Sequence, residues 1–450
     1  MNSLKDIFWA TWKQSTWFRV ALIAATIWAG LRLILQGVYL TGAFTPQAAS
    51  KQTTFVPNDL QNFIDAAERL QRQQPLYQLG PIDNIDVLYQ YSPVYIWMYT
   101  SFLKVPPLLL VLLHTLLNIV AYVCLYGVWT RIFSRLGRKT AWRWMVRMLP
   151  LWLVFSAFWS DLGLLNIYTF VALLSSLLLL AVIEEKSGWA LLWLTPILQT
   201  KPHWAFALAV PLLLGRWRFF SKLLVGSVVI YVALAGITLV AVGPAYGWQQ
   251  YQDYYRFLLN LSQNFPWRGP GAGFLGYNHS VVQIVVYLLG VSPATLQLAT
   301  ALKLLLLVPL VVVGARYLYR MRRARRDGAE HLLDLALLCY LGAFIWLDMV
   351  WEVTLGIAVF TWLLATNIGR WERAILWLVF LPYALLDAWQ MISYLIFGES
   401  IFYNEAYLLT DPSIYVPLVM LVILVLYALL LKRLWLAVTP SAAVTMDSNT

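Results

Sequence analysis

Long apolar runs separated by short polar clusters dominate this chain. A helix that crosses a membrane needs about 20 predominantly apolar residues. Runs suited to this role cover residues 18–41, 105–130, 145–162, 163–183, 189–200 with 203–215, 219–243, 295–316, 331–347, 349–367, 373–397 and 413–432. The pattern predicts an all-α polytopic membrane protein with about 12 transmembrane helices, forming one unit over residues 1–450.

Composition agrees with a membrane protein. Hydrophobic residues make up 61% of the chain, the mean hydropathy is +0.69, and only 12% of residues are charged, against about 25% in a soluble domain. The net charge of +11 does not indicate a nucleic-acid partner, because the basic residues lie in clusters between apolar runs. Membrane lipids are the expected surroundings.

Cys124 and Cys339 are far apart and form no metal-binding spacing. The sequence therefore predicts no cofactor, with a divalent ion left open.

The basic clusters also predict an orientation. Placing all of them in the cytoplasm gives a multi-pass protein with both termini inside, as expected in a bacterial plasma membrane. The segments 42–104 and 244–290 then become extracytoplasmic loops, and 439–450 is a polar tail. Residues 93–104 must be an interfacial or re-entrant helix, because a full span there would move the basic cluster at 131–147 outside.

One hairpin has an irregular pattern. Residues 189–215 form two short apolar halves broken between Gln199 and His203. Short or proline-interrupted apolar segments at membrane depth usually line a polar cavity. We therefore expect this break to face such a cavity.

The first outer loop opens with a predicted amphipathic helix. Apolar residues at 60, 63, 64, 67 and 70 follow helical spacing, which places Asp59 near the N-cap. One interpretation is that Asp59 caps the helix. The other is that Asp59 is a general base, tuned by the helix-end potential and by desolvation.

Several short motifs, in order, resemble glycosyltransferase family 87 of the GT-C class of membrane glycosyltransferases. They are Asp59-Leu-x-x-Phe-x-x-Ala-Ala-x-x-Leu70, Pro75-Leu-Tyr77, Tyr91-Ser-Pro-Val-Tyr95, Gly163-Leu-Leu-Asn166, Lys201-Pro202 and Gly276-Tyr-Asn-His-Ser280. Two features depart from the family pattern. His279 stands where glutamine is usual, and Asp348 and Glu352 lie where the family often has histidine.

The resemblance implies a reaction. A polyprenyl-phosphate donor gives up mannose, or another hexose or pentose, to a hydroxyl of a glycolipid, glycan or protein acceptor, with inversion. The reaction takes place on the extracytoplasmic side, with Asp59 as general base. A phosphate leaving group is a weak base and needs no general acid. It needs cations and hydrogen-bond donors instead.

The candidate site residues form two sets. Donor-phosphate binding is assigned to Lys201, His203, Arg268 and His279, and substrate binding to Asn58, Tyr91, Asp161, Asn166, Asn278, Asp348 and Glu352. Asp348 and Glu352 are four residues apart and are expected on one helical face.

Each candidate also has a structural interpretation. Lys201 and His203 could reach polar surroundings from a hairpin tip, Arg268 could be a loop charge, and His279 could be structural. The carboxylates could pair with an arginine or a hydroxyl, an interpretation favoured for Asp387.

A second class of function stays open. A secondary transporter or lipid flippase could use Asp161, Asp348 and Glu352 as a coupling-ion site and the broken hairpin as a gate. An inactive partner subunit is a third possibility. Long outer loops without an internal repeat favour the transferase.

Overall fold

The computed structural model describes residues 4–40, 56–82, 88–272, 275–276, 278–324, 331–397 and 417–438. Within these ranges all regular secondary structure is helical. The predicted polar tail 439–450 lies outside the described residues, as do 42–55 and 83–87 of segment 42–104, which is called the first outer loop after its predicted location.

The α-helices are α1 (Leu4–Gln14), α2 (Thr16–Leu40), α3 (Asn58–Gln71), α4 (Pro93–Tyr99), α5 (Pro107–Arg135), α6 (Lys139–Arg147), α7 (Leu149–Val154), α8 (Ser156–Leu164), α9 (Tyr168–Ile183), α10 (Ser187–Thr200), α11 (Ala209–Leu213), α12 (Trp217–Val242), α13 (Pro244–Asn264), α14 (Val281–Leu289), α15 (Pro293–Ala324), α16 (Leu332–Trp346), α17 (Gly356–Leu364), α18 (Arg370–Ala384), α19 (Leu386–Phe397) and α20 (Leu418–Val438). Two 3₁₀ segments, Thr100–Phe102 and Pro202–Leu208, connect α4 to α5 and α10 to α11.

Five helices of the described chain are long and apolar enough to cross a membrane: α2, α5, α12, α15 and α20. A sixth crossing arises if α6 joins the α7–α8 pair across a 52° bend. Other apolar helices are shorter, among them α9 and α16. The chain is thus an all-helical polytopic membrane protein, and the expected total of about 12 crossings stays a prediction.

The segment 93–104 is too short to be a transmembrane span, as predicted. Its α-helix has seven residues, followed by a three-residue 3₁₀ turn. Seven helical residues rise about 10 Å, far less than the roughly 30 Å of a bilayer core.

The amphipathic helix of the first outer loop is present as α3. Of its predicted apolar positions, Leu60, Phe63, Ala67 and Leu70 are buried. The Phe63 ring lies 5.4–5.7 Å from the rings of Tyr91, Tyr95 and Tyr99. This aromatic contact fixes α3 against α4 and the turn that precedes it.

The predicted second outer loop contains a helix that the sequence pattern did not indicate. Residues 244–264 form α13, whose buried face includes Gly247, Gln250, Tyr254 and Phe257. This face packs on the first outer loop: Gln250 Oε1 accepts a hydrogen bond from the Leu76 amide at 3.0 Å. Polar residues on the buried face, such as Gln250, and exposed apolar residues, such as Trp248 and Leu259, obscured the helical spacing.

The segment between α16 and α17 corrects a prediction. Asp348 and Glu352 do not share a helical face, because residues 347–353 are not helical. Distant side chains satisfy the amides of this segment and of Leu355. Tyr383 Oη accepts from the Val353 amide at 3.1 Å, and Tyr340 Oη accepts from the Leu355 amide at 3.2 Å. The predicted span at 349–367 is therefore a nine-residue helix that begins at Gly356.

Aromatic packing places the break after α10 in the protein interior. Trp204, in the 3₁₀ segment, is fully buried against Tyr340 and Phe344 of α16. Ser175 of α9 donates a hydrogen bond to the Trp204 carbonyl at 2.7 Å. The turn at Lys201 is thus held between α9 and α16.

Candidate active site

Asp59 is the second residue of α3, after the N-cap residue Pro57, which makes no side-chain cap. A carboxylate in the first turn is stabilised by the positive end of the helix dipole. Asp59 also makes a long-range contact: its Oδ2 accepts a hydrogen bond from Asn166 Nδ2 at 2.7 Å. Helix α3 therefore presents Asp59 to the turn that contains Asn166.

The turn before α9 fixes the orientation of Asn166. Leu165 adopts a left-handed conformation with φ of 52°, and the Asn166 amide donates to the Asp161 carbonyl at 3.1 Å. Asn166 Oδ1 accepts from the Ile167 amide at 2.6 Å. Because Oδ1 is engaged in this way, Nδ2 faces Asp59.

Asp161 holds this turn in place. The carboxylate is buried and accepts hydrogen bonds from the amides of Tyr168 at 3.0 Å and Thr169 at 2.9 Å. These amides belong to the first turn of α9 and need acceptors. The structure thus gives Asp161 a helix-capping contact beside the site.

Lys201 brings a buried cation to the same place. The residue is only 6% exposed, and its Nζ lies 4.0 Å from the Tyr168 ring centroid and 5.2 Å from that of Tyr91. Burial lowers the pKa of Lys201 to about 8, while the carboxylates of Asp59 and Asp161 act in the opposite direction. An ammonium group held by aromatic faces and nearby carboxylates is suited to receive an anion.

Ser92 attaches the first outer loop to the Lys201 turn. Its amide and its hydroxyl lie 3.2 and 2.7 Å from the Gln199 carbonyl oxygen, to which both can donate. This contact joins the residue after Tyr91 to the end of α10, two residues before Lys201. It explains how Tyr91 and Lys201 come together.

A small cavity opens beside Asp59. Its volume is about 20 Å³, room for roughly one water molecule. The lining residues are Asp59, Asn62, Phe63, Leu88, Tyr89, Gln90, Tyr91, Asn166, Tyr168, Met349 and Trp351. Three distant parts of the chain meet here: the first outer loop, the turn before α9 and the segment after α16. A sugar would need some of these side chains to move.

A second polar group lies along the 347–353 segment. Asn278 Nδ2 donates to the Asp348 carbonyl at 2.9 Å, and Asn278 Oδ1 accepts from the Val350 amide at 3.1 Å. The His279 amide donates to the Val350 carbonyl at 2.7 Å. These bonds attach the Gly276–Ser280 motif to the segment that carries Met349 and Trp351 into the Asp59 cavity.

Two side chains of this second group have notable surroundings. Asp348 forms an ion pair with Lys303 of α15, whose ammonium group lies 5.7 Å from the Trp346 ring centroid. His279 is 1% exposed, and its Nδ1 has no hydrogen-bond partner among the residues that the structure describes.

Glu352 follows Trp351, which lines the Asp59 cavity. Its Oε2 accepts a hydrogen bond from Tyr383 Oη at 2.5 Å. Tyr168 lies within electrostatic range of Asp59, Asp161 and Glu352. The charges of three carboxylates therefore act on this tyrosine, and the Lys201 ammonium group lies against its ring.

The remaining candidates are absent from the cavity wall. His203 packs its ring on Trp204 and Phe344. Arg268 exchanges backbone hydrogen bonds with the Gln283 side-chain amide, and it is exposed. Asn58 is exposed at the start of α3. None of these three candidates lines the Asp59 cavity.

Several residues that support the site were not predicted from the sequence. On α5, His114 Nε2 and Asn118 Nδ2 lie 3.2 and 3.4 Å from the Asn166 carbonyl oxygen. Lys303 is a lysine inside an apolar run. In each case the available signal was a polar or ionisable residue at membrane depth.

Comparison with known proteins identifies a family. The family model for glycosyltransferase family 87 matches residues 89–347, which is more than half of the chain. The matched region contains Tyr91, Asn166 and Lys201, and it begins after Asp59. Searches of curated proteins and of solved structures returned no match. The chain therefore belongs to glycosyltransferase family 87 and is a membrane glycosyltransferase.

Proposed function

We propose that this glycosyltransferase moves a sugar from a polyprenyl-phosphate donor to an acceptor hydroxyl, with inversion at the anomeric carbon. Asp59 acts as the general base, and Lys201 binds the phosphate of the donor. The proposal depends above all on one observation. The Asp59 carboxylate, which Asn166 orients, and the buried Lys201 ammonium group both lie near Tyr168.

The proposed step is a single displacement. The acceptor oxygen attacks the anomeric carbon as its proton passes to Asp59. The bond between the anomeric carbon and the phosphate oxygen breaks, and its electron pair stays on the departing polyprenyl phosphate. Lys201 stabilises the negative charge that develops there. Because phosphate is a weak base, one carboxylate is sufficient for the proton transfer.

Residues around the cavity would position the reactants. Tyr91 and Trp351 offer aromatic faces in the cavity wall, and Glu352 could accept a hydrogen bond from a sugar or acceptor hydroxyl. Asn278 and Asp348 shape the 347–353 segment through its backbone, so we assign them a positioning role. The buried Nδ1 of His279 has no hydrogen-bond partner within the described part of the chain, so His279 is a further candidate for contact with the donor.

We place the reaction on the extracytoplasmic side of a bacterial plasma membrane, with both termini in the cytoplasm. The positive-inside rule supports this orientation. A lipid-linked donor fits it as well, because the prenyl chain can remain in the bilayer while its phosphate reaches Lys201.

The transporter interpretation loses its basis. Family membership assigns the chain to a class of transferases, and each of the three carboxylates proposed for ion coupling has a partner. Asp161 accepts two helix amides, Asp348 pairs with Lys303, and Glu352 accepts a hydrogen bond from Tyr383.

A donor panel tests the proposal. The full-length protein, reconstituted in lipid, would be supplied with polyprenyl-phosphate sugars or with nucleotide sugars, and both released polyprenyl phosphate and anomeric configuration would be measured. We expect turnover with a polyprenyl-phosphate sugar and an inverted product. Turnover with nucleotide sugars alone, or a retained configuration, would contradict the proposal.

A further inference from the structure

A basic cleft lies between the N-terminal helix α1 and the α5–α6 connection. Its volume is about 500 Å³, within the range of roughly 300–1,000 Å³ that is usual for ligand pockets. Four cationic side chains and one carboxylate line it: Arg138, Lys139, Arg143, Arg147 and Asp6. The net charge of the walls therefore favours an anion.

The cleft has a packed base. Phe18, Leu22 and Val146 are buried together, and partly buried residues of α1, including Phe8 and Trp12, pack against them. Buried Ala141 and Met145 fix the inner face of α6. The basic side chains of α6 thus project from a helix that has its own hydrophobic anchor.

Two helices run from the proposed active site to the cleft, and their lengths give the distance between the two. On α5, His114 contacts Asn166 beside the active site, whereas Arg135 is the last residue of the helix, next to the cleft. The intervening rise is about 30 Å, close to the thickness of a bilayer core. Helix α9 gives a consistent distance. It begins at Tyr168 beside the active site, and Glu184, the residue after its last turn, pairs with Arg135. The cleft therefore lies at the opposite membrane interface.

Exposed tryptophans beside the cleft indicate contact with that interface. Trp9 is 48% exposed and Trp17 is 85% exposed. Tryptophan is enriched where lipid headgroups meet the acyl chains. Helix α1 and the start of α2 thus present aromatic side chains to the depth at which a headgroup phosphate would lie.

We propose that this cleft binds the phosphate headgroup of an anionic glycerophospholipid. Arginine side chains bind phosphate oxygens through paired N–H donors, and Arg143 and Arg147 both line the cleft. Basic residues that served only to orient the protein in the membrane would need positive charge but no cleft. Here α1 closes one side of a cleft around them. The proposal is independent of the sugar-transfer reaction.

Native mass spectrometry of the full-length protein tests the proposal. Protein extracted from bilayers of phosphatidylglycerol or of phosphatidylcholine would be compared for retained lipid. We expect retention of phosphatidylglycerol only. In the Arg143→Gln/Arg147→Gln variant we expect binding to weaken about 30-fold, or roughly fivefold for each cation near the surface. An Arg218→Gln/Lys222→Gln variant removes the same charge from α12 and should retain the lipid.

Two further arms keep the test decisive. If the glutamine variant fails to fold, Arg143→Lys/Arg147→Lys keeps the charge and should restore most of the binding. Inorganic phosphate should displace no more lipid than chloride does at equal ionic strength. Unchanged retention in the Arg143→Gln/Arg147→Gln variant, loss of the lipid from the Arg143→Lys/Arg147→Lys variant, equal loss in the α12 control, or specific displacement by inorganic phosphate would overturn the assignment.

Discussion

The side-chain amide of Asn166 donates a 2.7 Å hydrogen bond to the carboxylate of Asp59, across 107 positions of sequence. The bond joins the first turn of α3 to the turn before α9. It leaves the Asp59 carboxylate in the wall of a cavity that Tyr91 and Tyr168 also line. The proposed base is thereby oriented by a part of the chain that lies within the region matched by the family model.

Removal of the Asn166 amide should slow the reaction without abolishing it. A hydrogen bond to a charged group contributes about 1.5–3 kcal/mol, so Asn166→Ala should lower kcat/KM roughly 10- to 150-fold. In an Asp59→Asn background the same substitution should have little further effect. Equal losses in both backgrounds would show that Asn166 acts independently of Asp59.

Removal of the Lys201 charge should impair transfer more strongly than removal of an exposed lysine. Lys201→Met should reduce kcat/KM by about 100- to 1,000-fold, the usual cost of losing a group that stabilises developing charge. Lys186→Met, on the surface beside Glu184, is the matched control. Thermal unfolding of both variants separates catalysis from stability. Near wild-type transfer by Lys201→Met would exclude Lys201 from phosphate binding.

The pKa of Lys201 predicts an alkaline limit. Burial lowers it to about 8, so the ammonium form is present below that pH and is lost as pH rises through it. We expect kcat/KM to fall above about pH 8. Lys201→Arg keeps its charge at higher pH and should move the fall to higher pH, whatever its absolute rate. An unchanged alkaline limb in that variant would assign the titration to another group.

Arg32 and Asp387 should matter for stability. They form a buried ion pair between α2 and α19, with N–O distance 3.2 Å and both side chains 6% exposed. The structural interpretation favoured for Asp387 is thus the one supported. Arg32→Met should destabilise the protein by about 3–5 kcal/mol, and Arg32→Met/Asp387→Leu by much less. Measurements of thermal unfolding in detergent would check this. Normal stability with lost activity in Asp387→Asn would instead indicate a catalytic role.

Local patterns in the sequence were sufficient for part of the fold. The apolar positions of α3 predicted its buried face, because helical spacing alone decides which residues lie together. The short element at 93–104 followed from charge placement. In contrast, α13 was missed, because polar Gln250 and Asp253 lie on its buried face while large apolar residues such as Trp248 and Leu259 are exposed.

The site itself required tertiary structure. Nothing near Asp59 in sequence indicates that Asn166 is its partner, or that Ser92 attaches to Gln199 and brings Tyr91 to Lys201. The helical expectation for Asp348 and Glu352 was wrong because Tyr340 and Tyr383 supply acceptors for amides after α16. Such competition between distant side chains and the helix is not visible in a local pattern.

The rate of sugar transfer by Asp59→Asn, compared with Asp65→Asn, tests the central claim most directly. Asp65 lies on the same helix, is exposed and accepts a hydrogen bond from Gln61, so it controls for loss of charge on α3. With a polyprenyl-phosphate sugar and released polyprenyl phosphate as the readout, we predict a loss of at least about 100-fold in Asp59→Asn and near wild-type turnover in Asp65→Asn. Wild-type turnover by a folded Asp59→Asn variant would contradict the account.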